Sequence, residues 1–311
     1  FEAASDLPDE FCKCDVADAD VIGKLTTFRP DTMIHLAFIV NPIRDEKRMT
    51  RVNLGGALNV LEAARQCAPE RVLVSSSATV YGAWRDNPVP MPEEAPVRPR
   101  HSFRYCADKA AVEAALADFA SERPEIAVSW TRPSIIYAPG STNYLITYIA
   151  NAKVFALPSG KKTPLQFVHI DDVAAATMTM LENDARGAFN VSPDDWVSLH
   201  DLAQMTARPC IYMPFIICRA GAAIWWGLDL PWFRSPSSIW YFIRYPWAVT
   251  SDKLTSNFGF SFRHSTRETV YQLLSDKGLL PPNKRAPQNK GSALPAAGDA
   301  MAGGTQPATR R

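Results

Sequence analysis

The sequence predicts an α/β fold built on a doubly wound parallel sheet, with a smaller, mainly helical lobe toward the C-terminus. Three observations carry this. Short apolar runs alternate with helical stretches, the pattern of parallel strands joined by right-handed crossovers. One run, Arg71-Val72-Leu73-Val74, stops abruptly in the hydroxyls Ser75-Ser76-Ser77, as a buried central strand does when its carboxyl end opens into a crevice. Between residues 212 and 247 the composition turns aromatic, with Trp225, Trp226, Trp232, Trp240 and Trp247 in one window.

The 311 residues, 47% apolar with a formal charge of +1, describe a globular chain long enough for one large domain or two smaller ones. That balance gives no reason to expect a nucleic-acid partner. Cys12, Cys14, Cys67, Cys106, Cys210 and Cys218 lack metal-ligand spacing, so no metal is expected, and reduced thiols in a cytoplasmic protein account for them most simply. The first residues do not read as a charged-then-apolar leader, so secretion is not expected.

In chain order, residues 11–16 read as a short strand ending in Asp15-Val16, although Asp15 equally suits a cap for a helix starting near Ala19. Residues 32–37 form the next buried strand, in which His35 reads as packed core. Residues 45–66 form a long helix with Val52, Leu54, Leu58, Val60 and Leu61 at burial spacing. The amide of Asn53 falls among them and either finds buried partners or faces solvent. Residues 86–100, rich in proline and acids, read as a loop over the cleft. A strand at residues 125–131 ends in Arg132-Pro133, a strand and loop follow at 153–160, and a helix capped by its own acids at 171–182. Ser265-Thr266-Arg267-Glu268 has capping-box spacing for the last helix. Beyond Pro281 the scarcity of large apolar residues predicts disorder.

Tyr105 and Lys109 lie four apart on a helix that opens Tyr105-Cys106-Ala107-Asp108-Lys109. That spacing places a phenol and an ammonium on one face, where a cation lowers the phenol's pKa toward a value useful for proton transfer. Alone, such a pair is more often a surface pair. Ser75, Ser76 and Ser77 are either substrate-holding hydroxyls or a turn that satisfies its own backbone.

These two stretches, in this order, resemble the extended short-chain dehydrogenase/reductase superfamily, the NAD-dependent epimerase/dehydratase family. The resemblance continues through Met33-Ile34-His35-Leu36-Ala37, the helix from Val52 to Ala64, Thr131-Arg132-Pro133, Phe167-Val168-His169-Ile170-Asp171-Asp172 and Gly187-Ala188-Phe189-Asn190-Val191. It implies a Rossmann-type dinucleotide-binding domain over residues 1–140, a mixed region with a substrate-binding lobe over 141–280 and a tail over 281–311. It implies NAD or NADP as cofactor, Tyr105 as the acid/base, Lys109 as the group that tunes Tyr105 and holds the nicotinamide ribose, and Ser77 as the substrate-orienting hydroxyl. It further implies cofactor contacts from Asp15 and Val16 at the adenine, Leu36, Ala37 and Phe38 under the cofactor, Asn53 bracing the backbone, and Ser75, Pro133 and Ile135 near the nicotinamide. A homodimer through the Asn53 and Tyr105 helices is a further expectation from resemblance.

The glycine-rich turn that receives a pyrophosphate has no counterpart in the sequence. The expected reason is a domain that is N-terminally incomplete in this chain, the alternative being a true loss of the phosphate loop. Two departures bear on substrate. Where sugar-nucleotide members of the family carry an Asn and an Arg, this chain has Ile135 and Leu165, so a buried diphosphate would lack charged partners. Ala78-Thr79 stands where the family's dehydratases carry an acidic pair. The resemblance therefore implies an oxidoreductase acting on an apolar alcohol or ketone. The alternatives are a nucleotide-sugar epimerase, which the run Ser75 to Gly82 also resembles, and a non-catalytic nucleotide- or lipid-binding protein. The tryptophan window reads first as packed aromatic core, then as an apolar pocket walled by Trp225 and Trp226, then as a membrane-surface contact. A spanning helix is disfavoured by Arg219, Asp229, Pro214 and Pro231.

Overall fold

A computed structural model of the chain describes residues 12–158, 162–228 and 236–281. Residues 12–15 are irregular and 16–19 turn, so the strand expected at 11–16 is not found among the described residues, Phe11 lying outside them. Asp15 closes that turn instead: its Oδ1 accepts from the Ala17 N–H at 3.0 Å and its carbonyl from the Asp18 N–H. A local side-chain bond of this kind competes with strand pairing. Helix α1 (Asp20–Phe28) follows, with Arg29 in the left-handed conformation turning the chain into β1 (Thr32–His35).

The long helix is present in three continuous pieces, α2 (Glu46–Thr50), a π-helical turn over Arg51–Gly55 and α3 (Gly56–Cys67). The wide turn contains Asn53, which is fully buried. Its amide clasps one backbone unit: the Ile39 N–H donates to Oδ1 at 2.7 Å, and Nδ2 donates to the Ile39 carbonyl at 3.1 Å. The exposed alternative for Asn53 is therefore wrong, and the loop leaving β1 is fixed to this helix.

Strand β2 (Arg71–Ser75) leads through a 3₁₀ turn (Ala78–Tyr81) and an irregular stretch to α4 (Arg104–Glu122), then β3 (Ala127–Pro133). Next come β4 (Ile135–Tyr137), α5 (Tyr144–Asn151), β5 (Phe155–Pro158), β6 (Phe167–His169), α6 (Ile170–Glu182) and β7 (Gly187–Val191). The chain closes with α7 (Leu199–Met205), β8 (Cys210–Met213), α8 (Phe215–Gly227), α9 (Ile239–Arg244), α10 (Asp252–Phe258) and α11 (Thr266–Asp276). The expected capping box at Ser265 is formed. Helix α6 departs from expectation: its cap is His169, and Asp172 is fully buried, accepting from the Arg263 and His264 N–H groups.

The main sheet runs β1-β2-β3-β7, all parallel, with β4-β6 and β5-β8 as two parallel pairs beside it. Alternation along β2 shows the double winding. Val72 and Val74 pack with Val60, Leu61, Val112, Leu116 and Phe119 of α3 and α4, while Leu73 faces Ala176 and Met180 of α6. The carboxyl ends of β1, β2 and β3 are thus left open between the helical layers.

Beneath that opening lies a buried polar network. Glu113, on the Tyr105 and Lys109 face of α4, pairs with Arg132 of β3 at 2.6 Å, both nearly sealed from water. The Ser76 hydroxyl donates to Glu113 and Arg132 donates to the Tyr81 hydroxyl at 2.7 Å, which donates to Asn190 of β7 at 2.9 Å. Residues 86–100 join this network and do not cover the cleft. The Met91 N–H donates to the Ala248 carbonyl, Glu93 accepts from the Asn190 N–H, and Arg132 donates to the Glu93 carbonyl. Among the described residues no helix is long and apolar enough to cross a membrane; the expectation made for the segment beyond Pro281 falls on residues 282–311, which lie outside them.

Removing one partner of a buried pair leaves the other charged and unpaired. Arg132→Met is therefore expected to lower the unfolding free energy by about 3–5 kcal/mol in urea titration. Adding Glu113→Gln to Arg132→Met is expected to restore part of that loss, because the stranded carboxylate is gone. Strict additivity of the two would contradict the network.

Candidate active site

At the carboxyl ends of β1, β2 and β3 lies a cleft of about 320 Å³. It brings together eight of the residues expected as catalytic or cofactor contacts: Leu36, Phe38, Ser75, Ser77, Tyr105, Lys109, Pro133 and Ile135. Helix α4 supplies the axis. Tyr105, Lys109 and Glu113 recur every four residues and fall on one stripe, the first two lining the cleft and the third bound beneath it.

Ser77 stands at the head of the 3₁₀ turn, its Oγ accepting from the Thr79 N–H at 3.2 Å and the Thr79 hydroxyl at 3.0 Å. With its lone pairs so used, its own O–H is left to donate. The Tyr105 phenol is pushed up to about 12 by burial, opposed by its hydrogen bond with Ser77.

Lys109 is almost fully buried. Its ammonium donates to the Ser75 carbonyl and lies 2.9 Å from the centroid of the Phe38 ring and 5.7 Å from that of Tyr105. Burial lowers its pKa well below the usual lysine value, while the Glu113 carboxylate acts the other way. This corrects the simple expectation that the cation lowers the phenol. Both groups are governed first by loss of water, which favours a neutral phenol and weakens the charge on the amine.

Four expected contacts are not at the cleft wall. Asp15 is largely exposed, 3.7 Å from Arg51, and Val16 rests against α3, where its Cγ1 stands 2.6 Å from the Cβ position that Gly56 leaves empty. Ala37 is exposed outside the lining, and Asn53 acts through its clasp on Ile39. Sequence reasoning missed Val40, Ser134, Ile136, Tyr144, Leu145 and Val173, which also line the walls. Asn143 was the available signal for Tyr144, since its side chain accepts from the Leu145 and Ile146 N–H groups and so starts α5. Of the tryptophan window, Trp247 lines the cleft and Trp225 and Trp226 do not, while Trp240 is packed core and Trp232 lies outside the described residues. The preferred reading, aromatics as core, therefore holds for most of this lobe, and Trp225 and Trp226 as pocket walls are a correction. Among the described residues no cluster of His, Cys, Asp or Glu could hold a metal.

A parallel doubly wound sheet with a serine, a tyrosine and a lysine converging at its carboxyl edge is the frame of a nucleotide-dependent oxidoreductase or isomerase. The chain belongs to the NAD dependent epimerase/dehydratase family, whose profile matches residues 1–192. An uncharacterised protein of Mycobacterium tuberculosis is 25% identical over 281 residues, covering 88% of this chain and 72% of its own length. The UDP-glucose 4-epimerase of Mycolicibacterium smegmatis is 30% identical over 179 residues, covering 54% of this chain and 56% of its own. Among solved structures, RMD from Pseudomonas aeruginosa complexed with NADPH superposes with a TM-score of 0.64 at 21% identity, covering 87% of this chain and 88% of that one.

The cleft also sets an acid limit on stability. His35 is buried beside Phe38, with ring centroids 4.6 Å apart. Its pKa is lowered from 6.5 to about 4, first by burial and then by Lys109. As pH falls from 6.5 toward 4 the unfolded chain binds a proton here that the folded chain refuses, so stability is lost through that window, by about 3 kcal/mol in all. His35→Leu is expected to remove most of that share from the difference in unfolding free energy between pH 7 and about pH 4.5. An unchanged difference would show that His35 is not the group that titrates.

Proposed function

We propose that this chain is an NAD(P)-dependent oxidoreductase that moves hydride between nicotinamide and an apolar secondary alcohol or ketone. One observation carries the reading: among the described residues lining the cleft, Lys109 is the sole charged side chain, and Leu36, Val40, Ile135, Ile136, Val173 and Trp247 make the rest of the walls largely apolar. A nucleotide diphosphate in such a cleft would lack the guanidinium partners that a buried anion needs.

The residues fit the nicotinamide end of the cofactor. Lys109 commits one N–H to Ser75 and has two more to offer ribose hydroxyls once the Phe38 ring turns aside. The family profile and the NADPH bound to RMD support NAD or NADP. When bound, the cofactor supplies or accepts the hydride. The remaining work falls to the chain. Tyr105, held protonated by burial, is a donor to the carbonyl oxygen during reduction, and Ser77 turns its O–H from the phenol to that same oxygen. Leu36, Phe38, Pro133 and Ile135 exclude water around the reacting carbon. Asn53, through Ile39, holds the β1 loop against the π-helical turn between α2 and α3. The contacts of Asp15 and Val16 with adenine concern the opposite end of the cofactor and rest on the resemblance.

A second reading, a nucleotide-sugar epimerase, is favoured by the identity with UDP-glucose 4-epimerase. Turnover of UDP-glucose without net cofactor consumption would select it.

Tyr105→Phe is expected to lower kcat for ketone reduction by about 10²-fold or more while the cofactor Kd changes little. Lys109→Met is expected to weaken cofactor binding and slow turnover together. Near-normal kcat in the first variant, measured by NADH or NADPH oxidation, removes Tyr105 from proton transfer; unchanged binding and rate in the second return Lys109 to a packing role.

A further inference from the structure

The cleft holds two phenols, and the chemistry proposed above uses one. Tyr144 is the other, and its place is fixed from three sides. Its backbone N–H donates to Asn41 Oδ1 at 2.9 Å, the helix it begins is capped by Asn143, and its ring meets that of Phe103 edge-on at 5.9 Å. Phe103 also lies 6.0 Å from the Tyr105 ring, so one aromatic side chain spaces both tyrosines.

Three polar groups of the cleft are already engaged. Asn143 Nδ2 donates to the Ile136 carbonyl at 3.4 Å, the Ser76 hydroxyl donates to Glu113, and the Thr79 hydroxyl donates to Ser77. The Tyr144 hydroxyl bonds to no described residue and is not sealed from solvent, so it meets the open cleft. Burial, and then the neighbouring Tyr105, push its pKa upward, which keeps it a neutral donor.

A wholly apolar occupant would strip water from this hydroxyl and return no hydrogen bond. A ligand oxygen removes that loss. We propose that Tyr144 is a specificity-determining donor for a second oxygen of the substrate. The substrate class is then a ketone or alcohol that carries a hydroxyl or carbonyl close to the reacting carbon on an otherwise apolar body. This rests on the oxidoreductase reading of the same cleft.

The test pairs 2-hydroxyacetophenone with acetophenone, in wild type and Tyr144→Phe, reading kcat/KM with NADH or NADPH and ligand Kd by calorimetry. The phenylalanine keeps the ring against Phe103, and an unchanged melting temperature verifies the fold. Wild type is expected to favour the hydroxylated ketone by about tenfold, and Tyr144→Phe to lose that preference with acetophenone binding unchanged. An equal preference in both proteins, or binding of neither ketone to wild type, overturns the proposal. Turnover of both ketones with a preference independent of Tyr144 keeps the oxidoreductase reading and sinks this one. Absent turnover with a Tyr144-dependent binding preference does the reverse.

Discussion

The ion pair between Glu113 and Arg132 is the constraint from which the cleft takes its shape. A helix packed on a sheet by Val112, Leu116 and Phe119 has an apolar face that tolerates small rotations, since any of several side chains can fill the same space. A bidentate contact between a carboxylate and a guanidinium does not tolerate them. Arg132 Nε and a terminal nitrogen both reach Glu113, at 3.1 and 2.6 Å, and both side chains are out of water. The pair fixes the rotation of α4 about its axis, and with it the direction of Lys109 one turn earlier and Tyr105 two turns earlier. The cost of burying two charges is offset by further bonds to Ser76, Tyr81 and the Glu93 carbonyl.

Burial then governs the chemistry of the groups so placed. In water a lysine next to a tyrosine favours the phenolate. In this cleft loss of water acts on both groups and dominates, leaving a neutral phenol against a serine hydroxyl and an amine drawn to the Ser75 carbonyl and the face of Phe38. In the proposed oxidoreductase reading, such a pair gives a proton to an oxygen that is gaining negative charge. The apolar walls serve the same end, because a hydrogen bond in a dry cleft is electrostatically stronger than one in water.

The doubly wound sheet was legible because it is written in local patterns. Alternation along Val72, Leu73 and Val74, the hydroxyls that end that run, and the four-residue spacing on α4 all survive folding unchanged. Residues 86–100 show the limit of such reading. Proline and acid content marks a stretch as irregular, but only contacts distant in sequence, such as Met91 with Ala248 and Glu93 with Asn190, decide which side of the molecule it covers. The strand expected at residues 11–16 is not found among the described residues because alternation over six residues resembles a strand while an aspartate such as Asp15 can close its own turn. Trp225 and Trp226 have the right chemistry for a pocket wall, yet the cleft is lined by Trp247 and by neither of them. Glu113 stood on the active stripe in the sequence, but its partner Arg132 lies on another element, and only the fold brings the two together.

The most direct test follows the hydride itself. Protein supplied with NADH or NADPH deuterated on either face of the nicotinamide C4, together with an aryl ketone, is examined by NMR for label at the carbinol carbon. The account predicts deuterium transfer from one face only, dependent on Tyr105. Label retained in the cofactor with every ketone, while UDP-glucose is interconverted with its C4 epimer, would contradict it and assign the cleft to a nucleotide sugar.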